Sequence, residues 1–474
     1  MNHMLKYGSG SLHLEIPDTC DVSVFTPQQV EPLDNPLAVF MNALDAPEGC
    51  PALENMPTPE SVAIAVPDET RPFPIKLLLP PLLERIFTSY PSLPPHMVRI
   101  VVGGGLHEPP DQAQLARILP ADLRGCTVVS HDAQNSPMRH MGTTSRGTPV
   151  EINAAYADAD LKIVMGMVDA HQFVGFTGGA KGVVIGCASA GMITKNHSQL
   201  QHSRAFAGNI ENNPVRDDLN EAGILAGVRM AVNVVMTPDK KIAALYVGDP
   251  CALLNTLAEK TRKLYGFKLT RNWDIVVASC GGAPKDICLY QAQKALDSAR
   301  RCAGEHGRIL LLAECAQGIG DERYENYVSR FTDHKSLLQD FMQQEFKMGA
   351  HKAFLFSRVA AQHELVLHTD LSEADAGRCL LRKADAQTTL DAWLAINPHS
   401  SVAILTHANS MFFYSYCSLP LHKGLLFIHC TTLSWAIKSI LVLIIVERPT
   451  TNRSAGRYSV NEATALQMLE KPFS

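Results

Sequence analysis

Between residues 60 and 250 the chain alternates short, almost continuously apolar runs with glycine-rich turns and stretches of helical period. The clearest runs are SVAIAVPD (61–68), VRIVVGG (98–104), LKIVMGMV (161–168) and RMAVNVVMT (229–237). Runs without polar alternation suit strands covered on both faces, so the pattern predicts a largely parallel α/β sheet. In such sheets ligands gather beyond the carboxyl ends of the strands, and candidate side chains are expected just after each run. Residues 249–267 are polar on one face only and predict a connecting helix. Beyond it, WDIVVASCGG (273–282), GRILLLAECAQG (307–318), KAFLFSR (352–358) and HELVLHT (363–369) predict the strands of a second unit. The expected architecture is two α/β domains with a cleft between them. Residues 1–258 form the first, to which 400–410 can return, and 268–399 form the second. Residues 411–474 are a tail of different character. Within it, 424–446 is long and apolar enough to weigh as a membrane span, interrupted by His429 and Lys438. An anchor and a read-through tail are the two readings of it.

Composition narrows the classes. With 474 residues, 46% of them hydrophobic, the chain can bury two or three cores, which excludes disorder, collagen and coiled coil. Acidic residues outnumber basic ones, 47 to 42, so nucleic acid is not an expected partner and a small anion needs a local site. Twelve cysteines without a C-x-x-C pair read as thiols of a reducing compartment. The first residues, MNHMLKYGSGSLHLEIPD, lack an apolar core of signal-peptide length. A cytoplasmic protein is expected.

Five stretches carry candidate chemistry. After the first strand, P-D-E-T-R-P at 67–72 supplies Asp68 and Thr70 for capping or binding hydroxyls and Arg71 for gripping an anion. A capped helix entry with a surface arginine uses the same residues. After the second strand, G-G-G-L-H at 103–107 lets backbone approach a ligand and puts His107 at the mouth of the sheet, although it lacks the dinucleotide fingerprint. After the third comes D-A-H-Q-F-V-G-F-T-G-G-A-K-G at 169–182. It resembles a P-loop, but Ala180 and Gly182 flank Lys181 where a Walker motif needs glycine and a hydroxyl, so ATP hydrolysis is disfavoured. His171, Thr177, Gly178, Gly179 and Lys181 are left as a one-phosphate cradle beside an amine and an imidazole. Then T-K-N-H brings His197, a nitrogen ligand suited to nickel, zinc or copper or else a histidine on a helix face, and Asn213, Arg216 and Asp217 follow as supports. In the second half, K-D-I-C-L-Y-Q-A-Q-K-A-L at 285–296 sets Tyr290, Gln291 and Lys294 at helical spacing, a phenol, an amide and an ammonium fit to hold a carboxylate.

Taken in order, these blocks resemble the nickel-pincer-nucleotide-dependent lactate racemase family of 2-hydroxy-acid racemases and epimerases. The likeness rests on D-x-T-R-P at 68–72, G-G-G-L-H at 103–107, H-x-F-x-G-F-T-G-G-x-K at 171–181, His197 and K-D-x-x-L-Y-Q-x-Q-K-A-L at 285–296, and spans about residues 10–409. The resemblance implies an isomerase whose cleft holds nickel in a pyridinium-3-thioamide-5-thiocarboxylic acid mononucleotide. By that resemblance Lys181 forms the thioamide link and His197 completes the metal's coordination. Asp68, Thr70, Thr177, Gly178 and Gly179 hold the nucleotide. His107 and His171 are the paired acid and base, while Arg71, Tyr290, Gln291 and Lys294 hold the substrate. The partners implied are a small 2-hydroxy acid and, transiently, the proteins that make the cofactor. The chemistry is coherent. Taking hydrogen from C2 as a proton puts carbanion charge beside a carboxylate, whereas taking it as hydride leaves a neutral ketone. One departure is Ile185, which stands where the family usually carries a proline. Three rival classes are a zinc-type metallohydrolase built on His107, His171 and His197, a cofactor-binding homologue without turnover, and a nicotinamide dehydrogenase, which the missing dinucleotide fingerprint and the one-phosphate cradle disfavour.

Overall fold

Val62–Pro67 lies near the middle of a six-stranded sheet, and Val62, Ala63, Ile64 and Ala65 are each completely buried. The computed structural model describes residues 1–344 and 349–414; the apolar stretch 424–446 lies outside the described residues. From Val62–Pro67 the chain steps one way, to Val98–Gly103 and Thr127–Ser130. It then crosses back to lay Leu161–Met167 on the other side, followed by Met230–Met236 and the antiparallel edge strand Ile242–Gly248. The order therefore reverses between Val62–Pro67 and Leu161–Met167, which opens a crevice beyond their carboxyl ends. Alternate side chains go to opposite faces. Ala63, Ala65 and Val164 join one apolar cluster, and Val62, Ile64 and Ile163 the other.

The second sheet is parallel throughout, in the order Arg382–Lys383, Glu364–His368, Ala303–Leu312, Trp273–Ser279, Ser401–Leu405, Asp21–Phe25. Together the sheets give the expected α/β fold with two lobes. The pairing differs from the expected division at both ends. Asp21–Phe25 is bonded along Ser401–Leu405, and the hairpin of Asn2–Tyr7 with Gly10–Glu15 buries Leu5 and Leu14 against Ile275 and Val277. The N-terminal 25 residues therefore pack with the second lobe. Residues 401–405 stay there too and do not return to the first.

One predicted strand is a helix. Residues 352–358 lie within Ala350–Ala360, whose Ala353, Phe356 and Val359 share one buried face. An apolar run this short carries no period that separates strand from helix. The connecting helix forms as expected at Pro250–Tyr265, capped by the Asp249 carboxylate on the amides of Cys251 and Ala252, with Arg262 and Lys263 in its last turn. Among the described residues no helix is long and apolar enough to cross a membrane, and every cysteine is a free thiol.

Candidate active site

The crevice is open to solvent and is walled by the strand ends and by Asp68, Arg71, His107, Thr177, Lys181 and Asn233. Asp68, the first residue after its strand, is buried and sits at the centre of a small network. Its Oδ2 meets His107 Nδ1 at 2.7 Å, and its Oδ1 accepts from the Thr70 hydroxyl at 2.6 Å and the Thr70 amide at 3.2 Å. Burial pushes the Asp68 carboxyl up, but these hydrogen bonds and the nearby Arg71 outweigh it and hold the group below its ordinary value. Two strands supply the pair, and the glycines explain how they meet. A Cβ on Gly104 would fall 2.7 Å from Asp68 Oδ2, and one on Gly103 would fall 2.7 Å from the Gly186 carbonyl. The same glycine run packs on the segment containing Ile185, through Gly105 N to Gly186 O at 3.0 Å.

His171 stands on a hairpin of two-residue strands, Ala170–His171 against Gly175–Phe176. The Val174 amide donates to His171 Nδ1 at 3.4 Å. The ring of Phe173 is a spacer, edge-on to His171 at 4.6 Å and to His197 at 4.9 Å. From below, Asn213 Nδ2 donates to the Phe173 carbonyl at 2.9 Å, and the buried Arg216 guanidinium donates to the carbonyls of Val174, at 3.3 Å, and Phe176. Asn213 and Arg216 thus carry the hairpin. The third expected support is displaced by one position. Asp217 is half-buried near Arg146, whereas Asp218 is buried and accepts from Thr144, Thr148 and Asn196 Nδ2. Asn196 in turn faces His197 Nδ1 through its Oδ1 at 3.2 Å, which puts the His197 lone pair on Nε2.

Lys181 and the two histidines form a strongly perturbed group. Burial, reinforced by the positive charges of Arg71, Arg216 and Lys294, pulls the Lys181 ammonium down to about 7. His197 is pulled to about 3 by burial and by Lys181. Burial, then Lys181, His197, Arg71 and Lys294, hold His171 well below the usual imidazole range. Asp169 answers this charge only in part, for burial raises its carboxyl against Lys285, Lys294 and Arg71. Such a surplus of desolvated cations marks a place for anions.

The 177–179 turn is bound into its own lobe more fully than expected. The Thr177 hydroxyl donates to Met167 O at 2.8 Å and accepts from Asp169 N at 2.8 Å, and the Thr177 amide donates to Asp169 O. The Gly179 amide donates to Asn233 Oδ1 at 2.7 Å. Asn233 was missed by the motif reading, yet it has a signal, being the one carboxamide inside the fully buried strand Met230–Met236. Replacing it by Leu strands the Gly179 N–H, and a loss of about 1–3 kcal/mol is expected in chemical denaturation of the full chain.

The second lobe contributes Tyr290 and Gln291, on the helical piece Leu289–Ala292, and Lys294, in the turn just before the piece Ala295–Cys302. Lys294 Nζ donates to Gln291 Oε1 at 2.7 Å, and burial beside Arg71 lowers the ammonium to about 8. The Tyr290 ring lies under a different lysine, Lys352, whose Nζ is 5.2 Å from the ring centre. Among the described residues no three His, Cys, Asp or Glu side chains are placed to share a metal ion.

The comparisons with known proteins meet this geometry over both lobes. Residues 7–208 match the lactate racemase N-terminal domain and residues 269–395 the lactate racemase C-terminal domain. The lactate racemase of Lactiplantibacillus plantarum is 30% identical over 345 residues, covering 70% of this chain and 80% of that protein. That of Thermoanaerobacterium thermosaccharolyticum is 27% identical over 386 residues, covering 78% and 88%. The solved lactate racemase apoprotein from the latter organism superposes with a TM-score of 0.81 at 25% identity, over 87% of this chain and all of the other. A Thermotoga maritima protein shares the fold, with a TM-score of 0.62 at 16% identity over 82% of this chain and all of its own. With both domains matched in order and the two lobes superposing on a racemase, the chain belongs to the lactate racemase family and is an isomerase.

Proposed function

We propose that this racemase inverts the C2 centre of a 2-hydroxy acid, and that its crevice is built for the nickel-pincer nucleotide tethered to Lys181. The residues present fit such a group. Lys181 offers a primary amine that burial and the positive charges of Arg71, Arg216 and Lys294 leave largely deprotonated just above neutral pH, the state in which an amine can be acylated. His197 offers one imidazole, oriented through Asn196 and Asp218. A single protein donor suits a metal that arrives with the rest of its ligands. When bound, the group supplies an acceptor for the C2 hydrogen with its electron pair.

The chain's own residues do the remaining work. Arg71 from the first lobe and Tyr290, Gln291 and Lys294 from the second hold the substrate carboxylate, and Asp68, Thr70 and the 177–179 turn seat the nucleotide. With its Nδ1 proton directed at Asp68, His107 presents Nε2 as the acceptor for the substrate hydroxyl proton. On the opposite hand, His171 serves the other enantiomer. An anionic occupant answers the cations around His171 and restores its affinity for a proton.

Lys181 carries this reading. Its test is intact-protein and peptide mass spectrometry of the full chain from cells that also make the cofactor-assembly proteins. An adduct on the Lys181 peptide, nickel in the protein and interconversion of enantiomers in a panel of 2-hydroxy acids are expected. An unmodified Lys181 in a host that loads a known racemase of the family would overturn the tether, and a loaded chain inert towards the whole panel would overturn the substrate class.

A further inference from the structure

Two carboxamides meet across the cleft. Gln172, next to His171 in the first lobe, donates through Nε2 to Oε1 of Gln293, next to Lys294 in the second, at 3.1 Å. Lys352 Nζ donates to the same Gln293 oxygen at 2.8 Å and reaches Gln172 Oε1 at 3.4 Å, with the Tyr290 ring beneath it. The lysine comes from the helix Ala350–Ala360 and is only 5% exposed. Its partners are two neutral amide oxygens and a ring. Burial holds the Lys352 amine well below the usual lysine range, and burying so polar a group costs stability compared with a methionine of the same length, so stability does not explain the residue. What the amine does achieve is geometric. By donating to both amides it closes a triangle whose corners belong to different lobes.

From this we infer that Lys352 is a positioning residue, the pin of a clasp formed by Gln172 and Gln293 that aligns the two halves of the active site. The hairpin bearing His171 is held from below by Asn213 and Arg216, which reach the carbonyls of Phe173, Val174 and Phe176. Those bonds anchor it to its own lobe and say nothing of the other. Gln172 supplies the cross-lobe bond, one residue from an imidazole. At the far end, Gln293 lies between Gln291 and Lys294, the expected carboxylate grip. Setting this clasp therefore sets the distance between the group that exchanges a proton and the groups that hold the acid. Its catalytic consequence rests on the racemase reading above; its effect on lobe coupling does not.

The test has two arms. In the full-length chain without cofactor, hydrogen exchange of Lys352→Met is expected to accelerate about tenfold in two segments together, 170–176 and 289–294, with the central strands of both sheets unchanged. In the cofactor-loaded enzyme, Lys352→Met is expected to lower kcat about a hundredfold with a much smaller change in KM, since misplacement by about 1 Å has that effect, and Lys352→Arg restores most of the rate and the protection. If the methionine variant does not fold, Gln172→Ala cuts the clasp from the first lobe and should accelerate exchange of 289–294 in the second. Acceleration confined to the mutated lobe, acceleration throughout the chain, or none in either segment overturns the clasp. A loaded parent enzyme that racemises nothing, with the exchange coupling intact, counts against the racemase reading alone.

Discussion

Lys181→Met is expected to yield a chain that is more stable than the unmodified parent at neutral pH and that racemises nothing. Both outcomes follow from one environment. Burial first, then Arg71, Arg216 and Lys294, pull the Lys181 ammonium from 10.5 to about 7. Between those values the unfolded chain binds a proton that the folded chain does not, so the stability of the unmodified protein rises with pH across this window. Below about 7 the penalty of folding around the charge is complete. At about 1.4 kcal/mol for each pH unit of displacement, the full excursion is roughly 4–5 kcal/mol. Methionine keeps the length and removes the charge, so the variant should lose the Lys181 share of the slope between pH 7 and 10, leaving that of Lys294, which burial lowers to about 8, and exceed the parent in Tm at pH 7. Activity after co-expression with the cofactor-assembly proteins should fall below about one part in ten thousand, because the tether has no substitute. Thermal scans at several pH values and a chiral assay read the two effects separately. A variant that still racemises, or a parent whose stability is flat over this window, contradicts the assignment.

The strands near the crevice were legible because their function requires burial on both faces. Val62–Pro67, Val98–Gly103, Leu161–Met167 and Met230–Met236 begin and end within a residue or so of their apolar runs. Asp68 and His107 were legible for a related reason, since each follows a strand that runs towards the same edge. Other features had no local signal. The run at 352–358 is too short for its period to separate strand from helix. Asp21–Phe25 is half exposed along its length and takes its identity from Ser401–Leu405, far along the chain. Asp217 and Asp218 are neighbours in sequence, and only the packing of their helix decides which one reaches Asn196. The clasp is harder still. Gln172, Gln293 and Lys352 are ordinary residues in ordinary places, separated by 121 and 59 positions along the chain, and their meaning arises when the lobes meet.

Asp68→Asn is expected to lower kcat/KM by about a thousandfold or more while leaving the fold intact, judged by the loss when a carboxylate that orients a catalytic imidazole becomes an amide. The carboxylate has two duties here. It accepts from His107 Nδ1, which keeps the accepting lone pair on Nε2, and it accepts from Thr70, which holds the turn that carries Arg71. An amide preserves the shape but loses the charge and offers an N–H where one of those partners needs an acceptor. Because two enantiomers of a free acid have equal energy, kcat/KM must fall by the same factor in both directions, which gives an internal check on the assay. The pH dependence of stability supplies an independent one. Burial raises the Asp68 carboxyl, the bonds to His107 and Thr70 lower it further, and the net position is below the ordinary 3.8. Its contribution is therefore present in full above 3.8 and is lost as pH falls through the lower folded value. The gap in Tm between parent and Asp68→Asn should hold constant from neutral pH down to about 4 and close only in stronger acid. A gap that narrows already near pH 6 would assign the effect to a titrating histidine, and an unaltered kcat/KM would remove His107 from the reaction.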